Sequence, residues 1–357
     1  MWAQHGEVIY KMWIENAWYV AAWSNEIVRD AIFSRTFIGV PVILYRTGGG
    51  LLTALEDRCC HRLAPLSKGR LEGDAVRCMY HGLKFAPSGE CIEVPGADRV
   101  PSKFRVRHFP VVEKYNLVWI WMGDSEQADP EKIVDWPFLD DPAWPSKGGY
   151  LHYDASYQLI IDNLLDFSHL PYAHEKTIGT SNYDKQLPRI EHPPFGIRLE
   201  YTADDCPLAP MNKKFAEFEG NVDRWSFYDF HTRGNCLLGD FGSAPVGQGG
   251  HGGDRQNALQ FRHFTAITPE TETTSHYHFA HPRNFGIGVD GLDEQVRAFI
   301  FEAFNEDKDI IEAQQKIIHD NPHTPMLPIA ADKALIHIRR EIENIVATER
   351  SVQAAAE

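Results

Sequence analysis

Long apolar runs are missing from this chain, and so is a surplus of positive charge. No stretch reaches the 18 or more apolar residues that a membrane-spanning helix needs, so no membrane partner is expected. Lys and Arg total 35 against 50 Asp and Glu, a formal net charge of −15. A surface that acidic repels a phosphate backbone, which excludes nucleic acid as the expected partner. Cysteine is scarce as well, with 6 in 357 residues. A secreted, disulfide-stapled domain is shorter and much denser in cysteine. Residues Met1 to Lys11 also lack the apolar segment and cleavage site of an export signal. The expected compartment is the cytoplasm. No internal repeat is visible. One Gly-rich run, Gly247 to Gly252, fits G-x-G-x-x-G by letter but follows Pro245 and opens no helical pattern. A dinucleotide fingerprint needs strand, turn and helix N-terminus together, so this run reads as a loop, and no flavin or nicotinamide site is expected on the chain.

What is present is an ordinary globular composition, 43% hydrophobic and 24% charged, on a chain long enough for two domains. From Trp13 to Asp124 the pattern is short β-type runs, such as Trp18–Trp23, Val40–Tyr45, Leu51–Leu55 and Leu117–Met122. Gly48-Gly49-Gly50 and Pro87-Ser88-Gly89 punctuate them as turns. This predicts a small all-β domain over 13–124, preceded by an N-terminal extension, 1–12. A polar stretch from Gly123 to Trp144 reads as a linker. Beyond it, Tyr157 to His169 is apolar at helical spacing, β-type runs follow at Phe261–Ile267 and Ser275–Phe279, and helical tracts run from about Leu292 to Ile318 and Ala330 to Thr348. The segment 125–357 is therefore expected to be an α+β domain, a sheet with helices against it.

The chemistry concentrates in two places. The first interleaves Cys59-Cys60-His61 with Cys78-Met79-Tyr80-His81, that is C-x-H followed by C-x-x-H. Two thiolates can hold one iron of a [2Fe–2S] cluster and two imidazoles the other; the neutral imidazoles lower the negative charge and raise the potential. A structural zinc site also accepts two Cys and two His. Zinc fingers, however, segregate Cys-Cys from His-His, whereas here each loop supplies one of each. Cys60 reads as a bystander beside the cluster ligands. The second place is the tract at 157–174, with Asn163, Asp166, His169 and His174 in an N-x-x-D-x-x-H-x₄-H pattern. Five residues put His169 and His174 roughly 140° apart on a regular helix, so both reach one metal only if the helix ends between them. Pro171 lies in that gap. Two histidines still need a carboxylate to complete the triad that holds oxygen-activating Fe(II). The tract Asn305 to Glu312 supplies candidates in Glu306, Asp307, Asp309 and Glu312, among which the chemistry alone does not choose.

With these residues in view, Cys59-x-His61-Arg62-x-Ala64-Pro65-Leu66 and Cys78-x-Tyr80-His81-Gly82 closely resemble the Rieske domain of ring-hydroxylating and demethylating oxygenases. The likeness extends along the chain. Asn16 to Ala22, Ile161 to Asp166, Ile267 to Glu272 and Arg283-Asn284-Phe285 resemble the branch that includes vanillate and dicamba O-demethylases and toluenesulfonate methyl-monooxygenase. Cys59-Cys60 and the run from Cys78 to Phe85 lean toward the toluenesulfonate type. The resemblance implies an all-β Rieske domain followed by an α+β helix-grip catalytic domain with an antiparallel sheet. It implies that Cys59 and Cys78 ligate one cluster iron, His61 and His81 the other, and His169, His174 and Asp307 the mononuclear iron. Asp166, with Asn163 one turn before it, belongs to the site on this view. The family's matching Asp bridges an iron His and a cluster His of the next subunit, here His169 and His81.

The implied enzyme is a terminal monooxygenase, assembled as a homotrimer. It takes electrons from a separate NADH-dependent reductase, with or without a ferredoxin, and uses O2 to hydroxylate a methyl or methoxy carbon of an aromatic substrate. Hydroxylating a methoxy carbon gives a hemiacetal that collapses to phenol and formaldehyde; a ring methyl gives a benzyl alcohol. A ring-cis-dihydroxylating dioxygenase and a non-catalytic Rieske electron carrier are the alternatives. The shorter length speaks against the first and the 157–174 motif against the second. The pocket is expected from Cys236–Phe241, Phe261–Ile267 and the helix near Phe301, with His263, Thr265, Phe261 and Asp240 on offer. Dicamba-type polar anchors fall on small or neutral residues, Gly239 and Thr265, and Arg262 and Arg283 are the candidates for holding an anionic group.

Overall fold

The structure, a computed structural model, describes residues 12–356 apart from 176, 180–186, 209, 214, 216–217, 249–251, 253–254 and 256. The expected N-terminal extension, Met12 excepted, lies outside the described residues, as do Gly249, Gly250 and His251 of the Gly-rich run. Two compact units emerge. Of the described residues, one comprises Glu15–Ile133 with Thr268–Thr271, and the other comprises those of 12–14, 134–267 and 272–356.

The first unit is built of short strands: β1 (Trp18–Trp23), β2 (Phe33–Phe37), β3 (Val40–Arg46), β4 (Leu52–Glu56), β5 (Arg70–Glu72), β6 (Ala75–Arg77), β7 (Lys84–Phe85), β8 (Cys91–Glu93), β9 (His108–Phe109), β10 (Val111–Lys114) and β11 (Leu117–Trp121). They make three sheets, ordered β2-β3-β4-β9, β5-β6-β7-β8 and β1-β11-β10, antiparallel throughout their pairs. β-branched and aromatic residues fill β3 and β11, and every residue of β11 is buried, as befits a strand covered on both faces. The stretch expected as a linker contains three 3₁₀ turns, Ser125–Gln127, Pro130–Lys132 and Pro137–Leu139. Asp124 and Asp129 cap the first two through their carboxylates.

The second unit holds one seven-stranded sheet of β12 (Gly149–Tyr153), β13 (Arg189–Glu191), β14 (Gly196–Pro207), β15 (Asn221–His231), β16 (Cys236–Pro245), β17 (Leu259–Pro269) and β18 (Ser275–Ala280). Its order is β12-β18-β17-β16-β15-β14-β13. Its helices are α1 (Tyr157–Leu164), α2 (Leu170–Ala173), α3 (Pro210–Lys213), α4 (Leu292–Asp320) and α5 (Lys333–Ala356). α4 buries Leu292, Val296, Ile300, Ala303, Phe304, Asp307 and Ile311, steps of three and four that place one stripe against the rest of the unit. Phe304 of that stripe packs on Tyr277 and Phe279 of β18, so the sheet holds the long helix on one face. No described helix is long and apolar enough to cross a membrane.

One expectation changes here. The helix read over Tyr157 to His169 stops at Leu164, before both histidines. Asp166 then caps a 3₁₀ turn, Phe167–His169, by accepting the Ser168 N–H, and Pro171 sits in the first turn of α2. Proline is at home there, because a first-turn residue has no N–H partner to lose. The break is made by the Asp166 cap; Pro171 starts the next helix.

Candidate metal centres

In the β unit, two loops present the Cys and His residues. One follows β4 and is closed by Cys59 N to Ala64 O at 2.9 Å and Leu63 N to Cys59 O at 2.9 Å. The other joins β6 to β7 and is closed by Cys78 N to Leu83 O at 2.8 Å and Gly82 N to Cys78 O at 3.0 Å. The same backbone bonds recur, and so does the left-handed residue that permits them: Leu63 at φ 59° and Gly82 at φ 76°. The loops thus point their donors alike. Cys59 and Cys78 are buried and unbridged, while His61 and His81 are exposed with ring centroids 4.5 Å apart. Arg77 braces the second loop by donating to Gly82 O at 2.6 Å while paired with Glu72 and Glu93.

Burial pushes the Cys59 thiol up to about 12, against a backbone hydrogen bond from His61 and with the help of the neighbouring Cys78 thiol. Two buried thiols beside each other and two outward imidazoles are the mixed donor set that a Rieske cluster takes, and the residues fit that group. Cys60 packs into the core under the loops, where burial and the nearby Cys91 raise its thiol.

In the sheet-and-helix unit, His169, His174 and Asp307 converge, their ligand atoms all within 4.8 Å of one another. Asp307 Oδ1 lies 3.0 Å from His174 Nε2 and 3.4 Å from His169 Nε2. The hydrogen bonds on the far side of each ring define what the near side can do. His169 Nδ1 meets the Asp166 backbone carbonyl at 2.5 Å, and His174 Nδ1 meets Glu306 Oε2 at 2.8 Å. A carbonyl or carboxylate only accepts, so each Nδ1 carries the proton and each Nε2 offers a lone pair. His174 is fully buried, and its Nε2 has no hydrogen-bond partner. Such an orphaned atom, aimed at a second imidazole nitrogen and a carboxylate, fits a divalent metal. Thr177 Oγ1 donates to the same Glu306 oxygen at 2.6 Å, fixing the carboxylate behind the ring.

Electrostatics agree with this geometry. Burial alone would raise Asp307, yet the two imidazoles hold it at about 2. Burial alone would lower His174, yet Asp307 and Glu306 hold it above its ordinary value. Asn163 Nδ2 donates to Asp307 Oδ1 at 2.9 Å and stands 3.4 Å from His169 Nε2. One oxygen of the Asp166 carboxylate accepts from the Ser168 N–H at 2.8 Å. Glu306 lies behind His174, and Asp309 is exposed, so Asp307 is the acid that α4 turns inward.

Beside this cluster opens a cavity of about 110 Å³ whose walls include Phe167, Leu170, Leu237, Phe241, Ile300 and Phe304. Pairing across the sheet decides which residues face it. His263 on β17 stands opposite Gly239 on β16, where a Cβ would come within 2.7 Å of His263 Cβ and 3.0 Å of the Tyr228 ring. The glycine makes room for two cavity-lining side chains. Of the residues these strands offered, His263 lines the cavity, and Phe261, Thr265 and Asp240 are not in the wall. Thr265 sits behind His263, its Oγ1 2.9 Å from His263 Nε2, and Asp240 lies on the opposite face in ion pairs with Arg255 and Arg262. Arg262 is stacked over Phe138 and Trp144, and Arg283 is buried against Asp293 and Pro145 O. Both are structural arginines outside the cavity wall. Sequence reasoning missed Arg224, Asn212 and His281, which do line it: alternation in an unregistered strand has no absolute phase for Arg224, and Asn212 and His281 lie outside the strands.

A chain with one donor set suited to carrying electrons and another suited to activating O2 at an apolar cavity is built as an iron oxygenase of two centres. Known proteins agree. Residues 17–110 match the Rieske [2Fe–2S] domain, and residues 153–348 match the vanillate O-demethylase oxygenase C-terminal domain. The chain is 47% identical to the toluene-4-sulfonate monooxygenase system iron–sulfur subunit of Comamonas testosteroni, over 95% of this chain and 98% of that protein. It is 35% identical to the dicamba O-demethylase oxygenase component of Stenotrophomonas maltophilia, over 93% and 97%. The crystal structure of dicamba monooxygenase bound to 3,6-dichlorosalicylic acid superposes with a TM-score of 0.86 at 34% identity, covering 95% of this chain and 99% of that one. The chain belongs to the Rieske non-haem iron oxygenases, in the group with the vanillate O-demethylase type of C-terminal domain. It is the oxygenase component of a monooxygenase, with a [2Fe–2S] cluster and a mononuclear iron as its cofactors.

Proposed function

We propose that this protein hydroxylates a methyl or methoxy carbon of an aromatic substrate, with O2 as cosubstrate and electrons that originate in NADH and arrive through a separate reductase, directly or by way of a ferredoxin. The observation that carries this reading is the His169–His174–Asp307 cluster beside an apolar cavity on a chain that also bears the paired Cys/His loops. Relatives named for toluene-4-sulfonate, dicamba and vanillate support a one-ring substrate. On this reading Cys59 and Cys78 hold the inner cluster iron, His61 and His81 the outer, and His169, His174 and Asp307 the mononuclear iron. Residues 13–124 act as the electron-carrying domain and 125–357 as the catalytic one. The subunits assemble as a homotrimer in the cytoplasm, with Asp166 joining His169 to His81 of the next subunit.

When bound, the two iron groups supply one-electron transfer and O2 activation, which no side chain provides. The protein's own residues do the rest. Glu306 and the Asp166 carbonyl fix the tautomers of His174 and His169, so that both lone pairs face one point. Asn163 holds Asp307 Oδ1 in register with them. Phe167, Phe241 and Phe304 wall the cavity, exclude water and leave a ring-sized space beside the cluster. The overall change balances as one methyl C–H, O2, NADH and a proton giving the alcohol, water and NAD.

The test is iron and acid-labile sulfide content with an EPR spectrum of the reduced protein, followed by turnover of methoxy- and methyl-arenes with a surrogate reductase. About three irons and two sulfides per chain, and an alcohol or a phenol with formaldehyde, support the reading. A diol product or the absence of any O2 uptake overturns it.

A further inference from the structure

Besides the metal cluster, the cavity wall carries a pair of imidazoles. His263 of β17 and His281, just beyond β18, both line it, with ring centroids 4.7 Å apart and His263 Nδ1 2.9 Å from His281 Nε2. Behind them the contacts continue in single file. His263 Nε2 lies 2.9 Å from Thr265 Oγ1, and Thr265 Oγ1 lies 3.3 Å from the Tyr277 hydroxyl. All four side chains are buried. β15 adds Tyr228, Ser226 and Arg224 to the wall, alternate residues on one face, and the Tyr228 ring stands edge-on to His263.

Burial keeps both imidazoles uncharged. It pushes His263 down to about 3, and burial beside His263 drives His281 well below its ordinary value. A neutral imidazole has one N–H and a hydroxyl one O–H, so few placements of the protons remain. If His281 donates to His263, His263 to Thr265 and Thr265 to Tyr277, the phenol proton has no acceptor, because the Tyr277 hydroxyl meets only Thr265 among the described residues. If Thr265 accepts from both sides, its own proton is stranded in the same way. In the remaining arrangement Tyr277 donates to Thr265, Thr265 to His263 Nε2, and His263 Nδ1–H to His281 Nε2. Every buried proton then has an acceptor, and a buried donor without one is costly, so this direction prevails. It leaves the proton of His281 on Nδ1, which meets no other described group.

The His281 ring packs 5.9 Å from Phe304 and 6.1 Å from Phe241, aromatic residues of the same wall. On α4, Phe304 stands three residues before Asp307 and Ile300 seven, so this part of the wall lies roughly 4.5 to 10 Å along the axis from the metal ligand. We propose that the Tyr277–Thr265–His263 chain is a positioning device that makes His281 Nδ1–H a fixed, uncharged donor in the cavity wall. His281 then determines specificity by receiving an acceptor oxygen of the aromatic substrate, of which an aryl carbonyl is the simplest case. This deepens the reading above and rests on it for the aromatic substrate. The donor offers no lone pair, so a substrate N–H at the same place is refused.

The probes are 4-methylacetophenone and its isostere 4-isopropenyltoluene, in which a C=CH2 group replaces the carbonyl. Binding to the holoprotein is read by equilibrium dialysis, and the isotope-labelled carbonyl is followed by infrared difference spectroscopy. Wild type is expected to lower the carbonyl stretch relative to the ketone in a hydrocarbon solvent. His281→Phe is expected to erase that shift and to reduce the ketone-to-alkene affinity ratio on the order of 10-fold. His281→Gln, whose amide both accepts from His263 and donates, should recover part of the shift and of the ratio. Thr265→Val removes the donor to His263 Nε2 and leaves either direction open, so the carbonyl should split into shifted and unshifted bands. Retained mononuclear iron reports each variant as folded. An unshifted carbonyl in wild type, or a ratio unchanged in both His281 variants, overturns the assignment. A single shifted band in Thr265→Val overturns the positioning role of the chain. A His281-dependent shift in a protein that hydroxylates no methyl- or methoxy-arene upholds the donor and sinks the proposed reaction instead.

Discussion

The two donor sets are built on opposite plans. All four cluster candidates fall between Cys59 and His81, on two loops whose backbone bonds repeat each other, with thiols inside and imidazoles outside. The mononuclear set joins a 3₁₀ turn to a helix far along the chain; Asn163 and Asp307, in contact, are 144 residues apart. The first site needs only its loops to close correctly. The second exists only when the sheet, α1 and α4 have all assembled. The difference predicts separable failures, and experiments can break or sharpen it.

The largest effect is expected from removing a ligand candidate. Asp307→Ala or His169→Ala should abolish turnover and bring iron down to about two per chain, while the visible and EPR spectra of the cluster stay normal. Loss of cluster absorbance in either variant would break the separation. Asp166→Asn should keep both metals and lose about 10- to 100-fold in turnover, and near-normal activity would remove the residue from the electron path. Glu306→Gln should weaken mononuclear iron by about 10- to 100-fold, measured by chelator competition, because it orients His174 from behind. Complete loss of the metal would instead mean that Glu306 is itself a ligand.

A smaller, pH-dependent effect follows from the charges. In metal-free protein the His174 pKa is raised, so its contribution to stability is full below about 6.5 and is lost as pH rises through the folded value. Asp307 is depressed to about 2, so its contribution is present above about 3.9 and is lost as pH falls toward that value. A metal displaces the proton from His174. The gain in Tm on adding Fe(II) to metal-free protein should therefore be larger at pH 8 than at pH 6; an equal gain would contradict the charged His174.

The smallest effects separate the two loops. Gly82→Ala forces a Cβ into a left-handed position 2.8 Å from Pro95 Cγ and should cost about 1–2 kcal/mol in denaturant unfolding. Leu63→Gly relieves strain at the matching position but frees the unfolded chain, and should fall within about 0.5 kcal/mol of wild type.

The contrast also explains what could be read beforehand. The cluster loops were legible because their donors are close in sequence. Asp307 was legible in principle, since steps of four, four, three and four from Leu292 through Val296, Ile300, Ala303 and Asp307 put it on the buried stripe of α4, where Glu306 and Asp309 are not. Without that periodicity the family pattern alone chose it. A break was expected between His169 and His174, at Pro171; it falls before His169 instead, where Asp166 caps a 3₁₀ turn, and Pro171 opens the next helix. The cavity wall was not legible. His263 of β17 enters the wall while its neighbour Arg262 turns to Asp240 on the other face, and only pairing with β16 fixes that phase. Arg224 stands opposite Ser243 in the sheet and Asn212 donates to that serine from α3, a coincidence that no local pattern contains.

The alternation along β15 turns the strand into a ruler graduated in pleats. Tyr228, Ser226 and Arg224 share one face, so moving a side chain from one of these positions to the next shifts it by about 7 Å along the cavity wall. The lining of the cavity can thus change in discrete steps while the metal cluster beside it stays fixed. A lineage built on this sheet can shift a side chain of the cavity wall by one pleat through exchanging two residues, and the fold need not notice.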